Sequence, residues 1–344
     1  MNSRSLKVVK RHCLVQNNCL AIPAFAEAWV EVEDLDELKL ALELAHKESW
    51  PVMVMGSGSN IVLGDQIPGL VIHNKLHGIS VEERSGDKVR IRCASGENWH
   101  ELVTYCVGRG YYGIENLALI PGTVGAAPIQ NIGAYGVELD SVLHSLKAME
   151  VETGDVRKFS PKDCNFSYRD SAFKNELKDR YVITEVCLEL SKLSQPKSDY
   201  PSLAEYLLSH SLMDSPENIY AAVCEIRRKK IPHPAEIPNV GSFFKNPLVS
   251  SDKAGAVLKL LPNLPHWPQP SGMVKLSAAA LIEAKGWKGA HRKGVGIDEN
   301  HALILVNPGH ESGAAVLDFA ADIQASVEQA YGIELQIEPR CYPD

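Results

Sequence analysis

The alternation of apolar and polar positions divides the chain into three stretches. In residues 29–63, "WVEV" alternates with the period of a strand, and "DLDELKLALELAHKES" follows. Its Leu35, Leu38, Leu42 and Ala45 recur at helical spacing behind an aspartate suited to capping. "PVMVM" reads as a buried strand, "GSGSN" as a glycine loop and "IVLG" as another strand. From about residue 70 to 190 the runs shorten: "GLVIHN", "KVRIRCAS", "LHSLKAMEVET", "DVRKFS" and "RYVITEVCLEL" lie between turn residues, interrupted by the helix-like "NWHELVTYCVGRG". This predicts an α+β region with a mostly antiparallel sheet. The polar, proline-bearing segment 191–203 reads as a connector. Beyond it, "PENIYAAVCEIRRKKI", "SAAALIEAKGWKG" and "GAAVLDFAADIQASVEQAYG" predict helices, and "HALILVN" and "ELQIE" predict strands. Residues 215–340 therefore read as a smaller α/β domain.

Composition narrows the function classes. The chain has 344 residues, 45% hydrophobic and 23% charged, a soluble globular profile with room for two or three domains. A net charge of −8 argues against a nucleic-acid binder. The longest apolar runs are too short to span a bilayer, and the N-terminus has no apolar stretch of signal-peptide length, so a cytoplasmic protein is expected. None of the eight cysteines forms CxxC and none of the twelve histidines forms a metal pattern. Reduced thiols and no metal are expected.

Two glycine-rich segments carry candidate chemistry. "GSGSN" (56–60) follows a strand and can turn several backbone N–H groups toward phosphate oxygens; a plain tight turn is the other reading. It is neither G-x-G-x-x-G before a helix nor a P-loop. "GIENLALIPGTVGAAPIQNIGAYG" (113–136) mixes Gly122, Gly125, Gly133 and Gly136 with small and amide side chains. It suits either close approach to a large flat ligand or a glycine-rich turn packed on another domain. Ser242 in "NVGSFFKNP" lacks the G-x-S-x-G context of an activated nucleophile. Arg169 in "NFSYRDSAFK" reads as a surface arginine paired with Asp170 or Asp163, or as a carboxylate-binding residue.

Taken in order, "GSGSN", "ENLALIPGTVGAAPIQNIGAYGVEL", "YRDSAFK" and "GSFFKNP" resemble the UDP-N-acetylenolpyruvoylglucosamine reductase family (UDP-N-acetylmuramate dehydrogenases), over residues 17–340. The resemblance implies a two-lobed FAD-binding module of the vanillyl-alcohol-oxidase/p-cresol-methylhydroxylase type plus a smaller C-terminal α/β substrate domain. The implied division is 1–68 and 69–214 for the two FAD lobes and 215–344 for the substrate domain. FAD would be bound non-covalently and NADPH would be the co-substrate, in a monomer acting in peptidoglycan synthesis.

For the cofactor, the resemblance implies pyrophosphate contacts from Gly56, Ser57, Gly58, Ser59 and Asn60. The flavin and its tail would meet Pro121, Gly122, Thr123, Gly125 and Ala126, then Ile129, Gln130, Asn131, Gly133, Ala134 and Tyr135, with Ile183 from a later strand. For the substrate it implies Tyr168, Arg169, Lys230, Asn246 and His301, and places the chain in the subclass with a substrate-loop tyrosine, Tyr200. The implied reaction sends a hydride from flavin N5 to the vinyl carbon of the enolpyruvyl ether. Ser242 then protonates the resulting carbanion, with Arg169 and Glu338 as the other catalytic residues. Pro339 stands where the family usually has a β-branched residue, and the tail beyond Arg340 is short. Of the run "RRKK", Lys230 is matched to the diphosphate, while Arg227, Arg228 and Lys229 read as a solvated face. Other flavoproteins on the same module lack "GSFFKNP" and the third lobe. A non-enzymatic UDP-sugar binder has no use for Arg169, Ser242 and Glu338 together.

Overall fold

The structure is a computed structural model that describes residues 6–343. The chain folds into two compact units that exchange segments. One comprises the chain up to His12, Ala26–Ser57 and Pro68–Lys229. The other comprises Cys13–Phe25, Gly58–Ile67 and the chain from Lys230 onward.

The first unit holds two sheets. The four-stranded one has the order Val9–Cys13, Phe25–Val32, Gln66–Asn74, Val52–Met55, with the last two strands parallel. The helix Leu35–Glu48 forms as its pattern predicts. The Asp34 carboxylate accepts the Glu37 N–H at 2.9 Å, the Glu37 carboxylate accepts the Glu33 N–H at 2.8 Å, and Ser49 closes the helix at φ 53. Its buried face is Leu38, Ala41, Leu42 and Ala45, set against Ala28, Val30, Leu70 and Ile72. Leu35, at the first helical position, is 46% exposed, so the apolar stripe starts one turn later than its spacing suggests.

The second sheet of this unit runs Val156–Phe159, Leu143–Glu150, Tyr181–Ser191, Lys88–Ala94, Ile79–Ser85, and its pairings are antiparallel. Its core gathers Ile91, Leu146, Phe159, Val186 and Leu188 with Trp99, Leu102 and Cys106 of the helix Trp99–Val107. Two further helices contribute to the same core: Leu203 and Leu207 from Pro201–Ser209, and Ile219, Val223 and Ile226 from Pro216–Lys230.

The second unit is built on an antiparallel sheet, Asn239–Ser242, Ile304–Val306, Val295–Ile297, His291–Arg292. The helix Gly313–Tyr331 starts at a glycine by necessity, since a Cβ there would lie 1.9 Å from the Leu63 carbonyl oxygen. "ELQIE" is not a regular strand: Ile337 forms a single bridge to Phe244, and regular pairing resumes at Arg340–Tyr342, parallel to Ile61–Leu63. Pro339 lies between the two, and its ring nitrogen has no proton to give a ladder.

Candidate active site

The first unit brings its two glycine-rich segments together. Strand Val52–Met55 delivers Gly56, where a Cβ would lie 2.3 Å from Thr123 Oγ1. The PGTVG loop is stitched to the start of helix Trp99–Val107: Trp99 N–H donates to Gly122 O at 3.0 Å, Val124 N–H to Glu97 O at 2.8 Å, and Gly125 N–H to Ser95 O at 2.8 Å. Gly125 is obligatory, because a Cβ would meet the Ser95 Cβ at 2.5 Å. Gly58, beyond the unit boundary, has φ 62 and would drive a Cβ into the Asn17 carbonyl at 2.2 Å.

Burial along 121–130 sorts the predicted cofactor residues. Val124, Gly125, Ala127 and Pro128 are buried, while Pro121, Ala126 and Ile129 face outward, Ile129 at 39% exposure. The outward set is small, apolar and flat, and no acidic residue occurs between Asn116 and Val137. That surface fits an isoalloxazine face, and the neighbouring amide-rich turn fits a phosphate-bearing tail. Asn131 (φ 44) is fully buried, its Nδ2 donating to Glu138 Oε2 at 3.0 Å and its Oδ1 accepting the Asp140 N–H at 3.0 Å. It braces the loop. Ile183 lies in the sheet core.

Arg169 sits at φ 54 in a tight turn closed by mutual Ser167 and Asp170 backbone hydrogen bonds. Left-handed backbone costs a non-glycine residue on the order of 1–3 kcal/mol. This turn aims the guanidinium at the glycine-rich segment, where it donates to Gly133 O at 2.5 Å and Asn131 O at 3.5 Å. Meanwhile Asp163 accepts from Ser160, and Asp170 from Ser171 N–H and Asn175. The Tyr168 ring lies 5.4 Å from the Arg169 guanidinium. Tyr135 (φ 49) meets Tyr200 edge-on at 5.3 Å. Burial holds the Tyr135 hydroxyl above the usual tyrosine range, with Arg227 pulling the other way.

Two residues of this unit escaped the reading of the sequence. Asn116 is buried and its Nδ2 bridges Tyr135 O at 2.9 Å and Lys197 O at 2.8 Å, tying the Tyr200 connector to the glycine-rich loop. Arg227 is not on a solvated face. It is half-buried, its Nε is sealed from solvent, and among the described residues it has no hydrogen-bond or ion-pair partner. Its spacing of three from Lys230 on one helix was the available signal.

In the second unit Ser242 ends the strand Asn239–Ser242 opposite Ile304. Gly241 takes φ 72 with open space where a Cβ would stand. Phe243 and Phe244 are buried, 5.3 Å apart, and hold the loop as packing. Phe243 N–H donates to Leu303 O, and its carbonyl accepts the Glu338 N–H, both at 2.9 Å. Lys245 N–H donates to Gln336 O at 2.9 Å. This pairing sets Glu338 beside the residue that follows Ser242. The Ser242 hydroxyl has no hydrogen-bond partner among the described residues. Asn246 Oδ1 accepts the Ala278 N–H at 2.9 Å. His301 Nδ1 accepts the Leu303 N–H at 3.2 Å, so the neutral ring carries its proton on Nε2. Burial, then the Lys230 charge, lowers the His301 pKa.

Comparisons with known proteins bear on this arrangement. A family model described as an FAD binding domain matches residues 26–160, and one described as the C-terminal domain of UDP-N-acetylenolpyruvoylglucosamine reductase matches 233–342. The UDP-N-acetylenolpyruvoylglucosamine reductase of Bordetella pertussis is 43% identical over 326 residues, 95% of this chain and 93% of its own. That of Pseudomonas putida is 41% identical, covering 94% and 96%. The crystal structure of the Thermus caldophilus reductase superposes with a TM-score of 0.69 at 23% identity, over 98% of this chain and 99% of that one. That last likeness is one of fold.

Proposed function

The chain belongs to the UDP-N-acetylenolpyruvoylglucosamine reductase family of FAD-dependent oxidoreductases, and on that premise we propose that it reduces the enolpyruvyl group of UDP-N-acetylglucosamine enolpyruvate to UDP-N-acetylmuramate with electrons from NADPH. FAD, when bound, would supply a two-electron carrier that passes a hydride from NADPH to the terminal vinyl carbon. Hydride addition turns that CH₂ into a methyl group and leaves a carbanion beside the carboxylate, in effect an enolate. Arg169 holds the carboxylate and its growing negative charge; a preorganised donor of this kind is commonly worth about 3–4 kcal/mol. The Ser242 hydroxyl gives its proton to the carbanion and recovers one from solvent. Glu338, in protonated form, donates to the enolate oxygen. Tyr168, Tyr200, Lys230, Asn246 and His301 hold the rest of the UDP-sugar.

In this layout the glycine-rich segments of 1–68 and 69–214 serve the cofactor and 215–344 serves the substrate. A monomer working in the cytoplasm completes the proposal; among the described residues no helix is long and apolar enough to cross a membrane. The observation that carries the reading is the unengaged Ser242 hydroxyl, one residue from the backbone hydrogen bond that fixes Glu338. Stopped-flow on Ser242→Ala tests it. Flavin bleaching by NADPH is expected to continue near the wild-type rate, while reoxidation by the enolpyruvyl substrate slows by about 10²–10⁴-fold. Equal loss in both half-reactions removes Ser242 as proton donor. A wild-type chain that purifies colourless and takes up no FAD removes the whole reading.

A further inference from the structure

The first turn of the helix Trp99–Val107 grips residues 117–122 at three points. The Trp99 indole N–H donates to Leu117 O at 2.9 Å, and the Trp99 backbone N–H donates to Gly122 O at 3.0 Å. Between them, the Leu119 N–H donates to His100 Nδ1 at 3.1 Å. Leu119 has φ 56, left-handed backbone that a leucine keeps only where its surroundings hold it. Two residues on stands Pro121, the first of the outward-facing residues of the PGTVG loop. The imidazole is itself held in place. Its ring stacks on Tyr220 of the helix Pro216–Lys230, with centroids 5.9 Å apart and planes at 12°. Thr104 Oγ1 donates to His100 O at 2.9 Å and shares a hydrogen bond with the Tyr220 hydroxyl, also at 2.9 Å.

Of the three grips, this one alone can titrate. An imidazole nitrogen accepts a hydrogen bond only while it carries no proton, so His100 is neutral here with its proton on Nε2. Protonation would set an Nδ1–H against the Leu119 N–H and turn the attraction into a repulsion. The groups facing the ring are Tyr220, Arg228 and Arg227 from the helix Pro216–Lys230 and Glu101 from its own helix. Burial favours the neutral ring most, Arg228 and Arg227 add to it, and Glu101 opposes them. We propose that His100 is a pH-sensitive positioning residue: its bare Nδ1 holds Leu119, and through it the PGTVG loop, in the conformation that receives FAD. The inference rests on the cofactor reading given above. The folded pKa lies below the ordinary histidine value, so the grip is closed above about pH 6.5 and opens as pH falls through the lowered value. With the grip open, FAD has to order the loop as it binds, and its affinity drops.

The test measures the FAD dissociation constant of the full chain at about pH 7.5 and about pH 5.5, on either side of the ordinary histidine value. Wild type, His100→Asn and His100→Phe are compared by recovery of free flavin fluorescence on dilution. Wild type should bind about fivefold more weakly at the lower pH, the worth of one hydrogen bond. His100→Asn puts an amide oxygen where Nδ1 stood, so it should match wild type at the higher pH and lose the pH dependence. His100→Phe keeps a ring against Tyr220 but has no acceptor, and should bind about fivefold more weakly at both pH values. In the FAD-free chain, imidazole nitrogen chemical shifts should show His100 Nδ1 without a proton at about pH 7.5. The proposal is overturned by a protonated Nδ1 there, by a pH dependence of His100→Asn parallel to that of wild type, or by a His100→Phe that binds FAD as wild type does. A wild-type chain that takes up no FAD at either pH fails the cofactor reading instead, a result distinct from all of these.

Discussion

A methyl group at position 56 would lie 2.3 Å from Thr123 Oγ1 and 2.8 Å from its Cγ2. Gly56→Ala must therefore push apart the two segments assigned to FAD, at a strain cost of about 1–3 kcal/mol. Weaker FAD retention is expected, by about tenfold or more, read from recovery of free flavin fluorescence on dilution. Adding Thr123→Ala removes the two closest atoms and leaves Cβ at 3.1 Å, so it should restore part of the affinity. Unaltered FAD retention in Gly56→Ala would show that the close approach is dispensable. Each glycine loop was visible in the sequence as a chemical oddity, but their meeting was not, since spacing within a segment says nothing of its partner. Arg227 went unread for a related reason. A charge run looks solvated until the helix bearing it is docked, and then one member in four is half-buried with its Nε sealed from solvent.

Among the elements, those with a strong period and a capping residue were legible, such as Leu35–Glu48 behind Asp34 and Gly313–Tyr331 behind Ser312. The helix Pro201–Ser209 was not. Its buried positions are Leu203 and Leu207, too thin a stripe to register, and Pro201, taken for a connector residue, sits at the first helical position where proline is at home. That helix continues the segment carrying Tyr200, which Asn116 holds to the glycine-rich loop. Removing the amide in Asn116→Ala removes both hydrogen bonds that tie the connector, each worth about 0.5–1.5 kcal/mol. The expected result is faster protease cleavage within 192–200, with FAD affinity changed far less. A variant cut no faster than wild type would mean that the Tyr135–Tyr200 contact alone holds the connector.

At the scale of the molecule, the exchange of 13–25 and 58–67 into the unit built by the C-terminal third was beyond any local reading. It depends on pairings such as Arg340–Tyr342 with Ile61–Leu63, set by contacts hundreds of residues apart. Half-buried histidines in both units give the whole a common response to pH. His73, His100 and His301 all have pKa values below the ordinary histidine value, with burial the largest cause in each. For His73 the Glu31 carboxylate opposes burial and Lys75 adds to it; for His100 the Arg228 and Arg227 charges add to burial against Glu101, and for His301 the Lys230 and Lys288 charges add to it against Asp298 and Glu283. A depressed folded pKa means that the unfolded chain binds the proton more readily. Stability from these groups is therefore complete above the unfolded value of about 6.5 and is lost as pH falls from there toward the folded values. Melting temperature should fall as the pH is taken from about 7.5 to about 5.5, above the range where carboxylates titrate. The net charge of −8 shrinks over the same range and acts in the opposite direction, but through widely spaced and screened charges. Comparing wild type with His301→Gln cancels that shared term. The variant's melting temperature should decline less steeply with acid, and parallel curves for the two proteins would exclude His301 as a source of the slope.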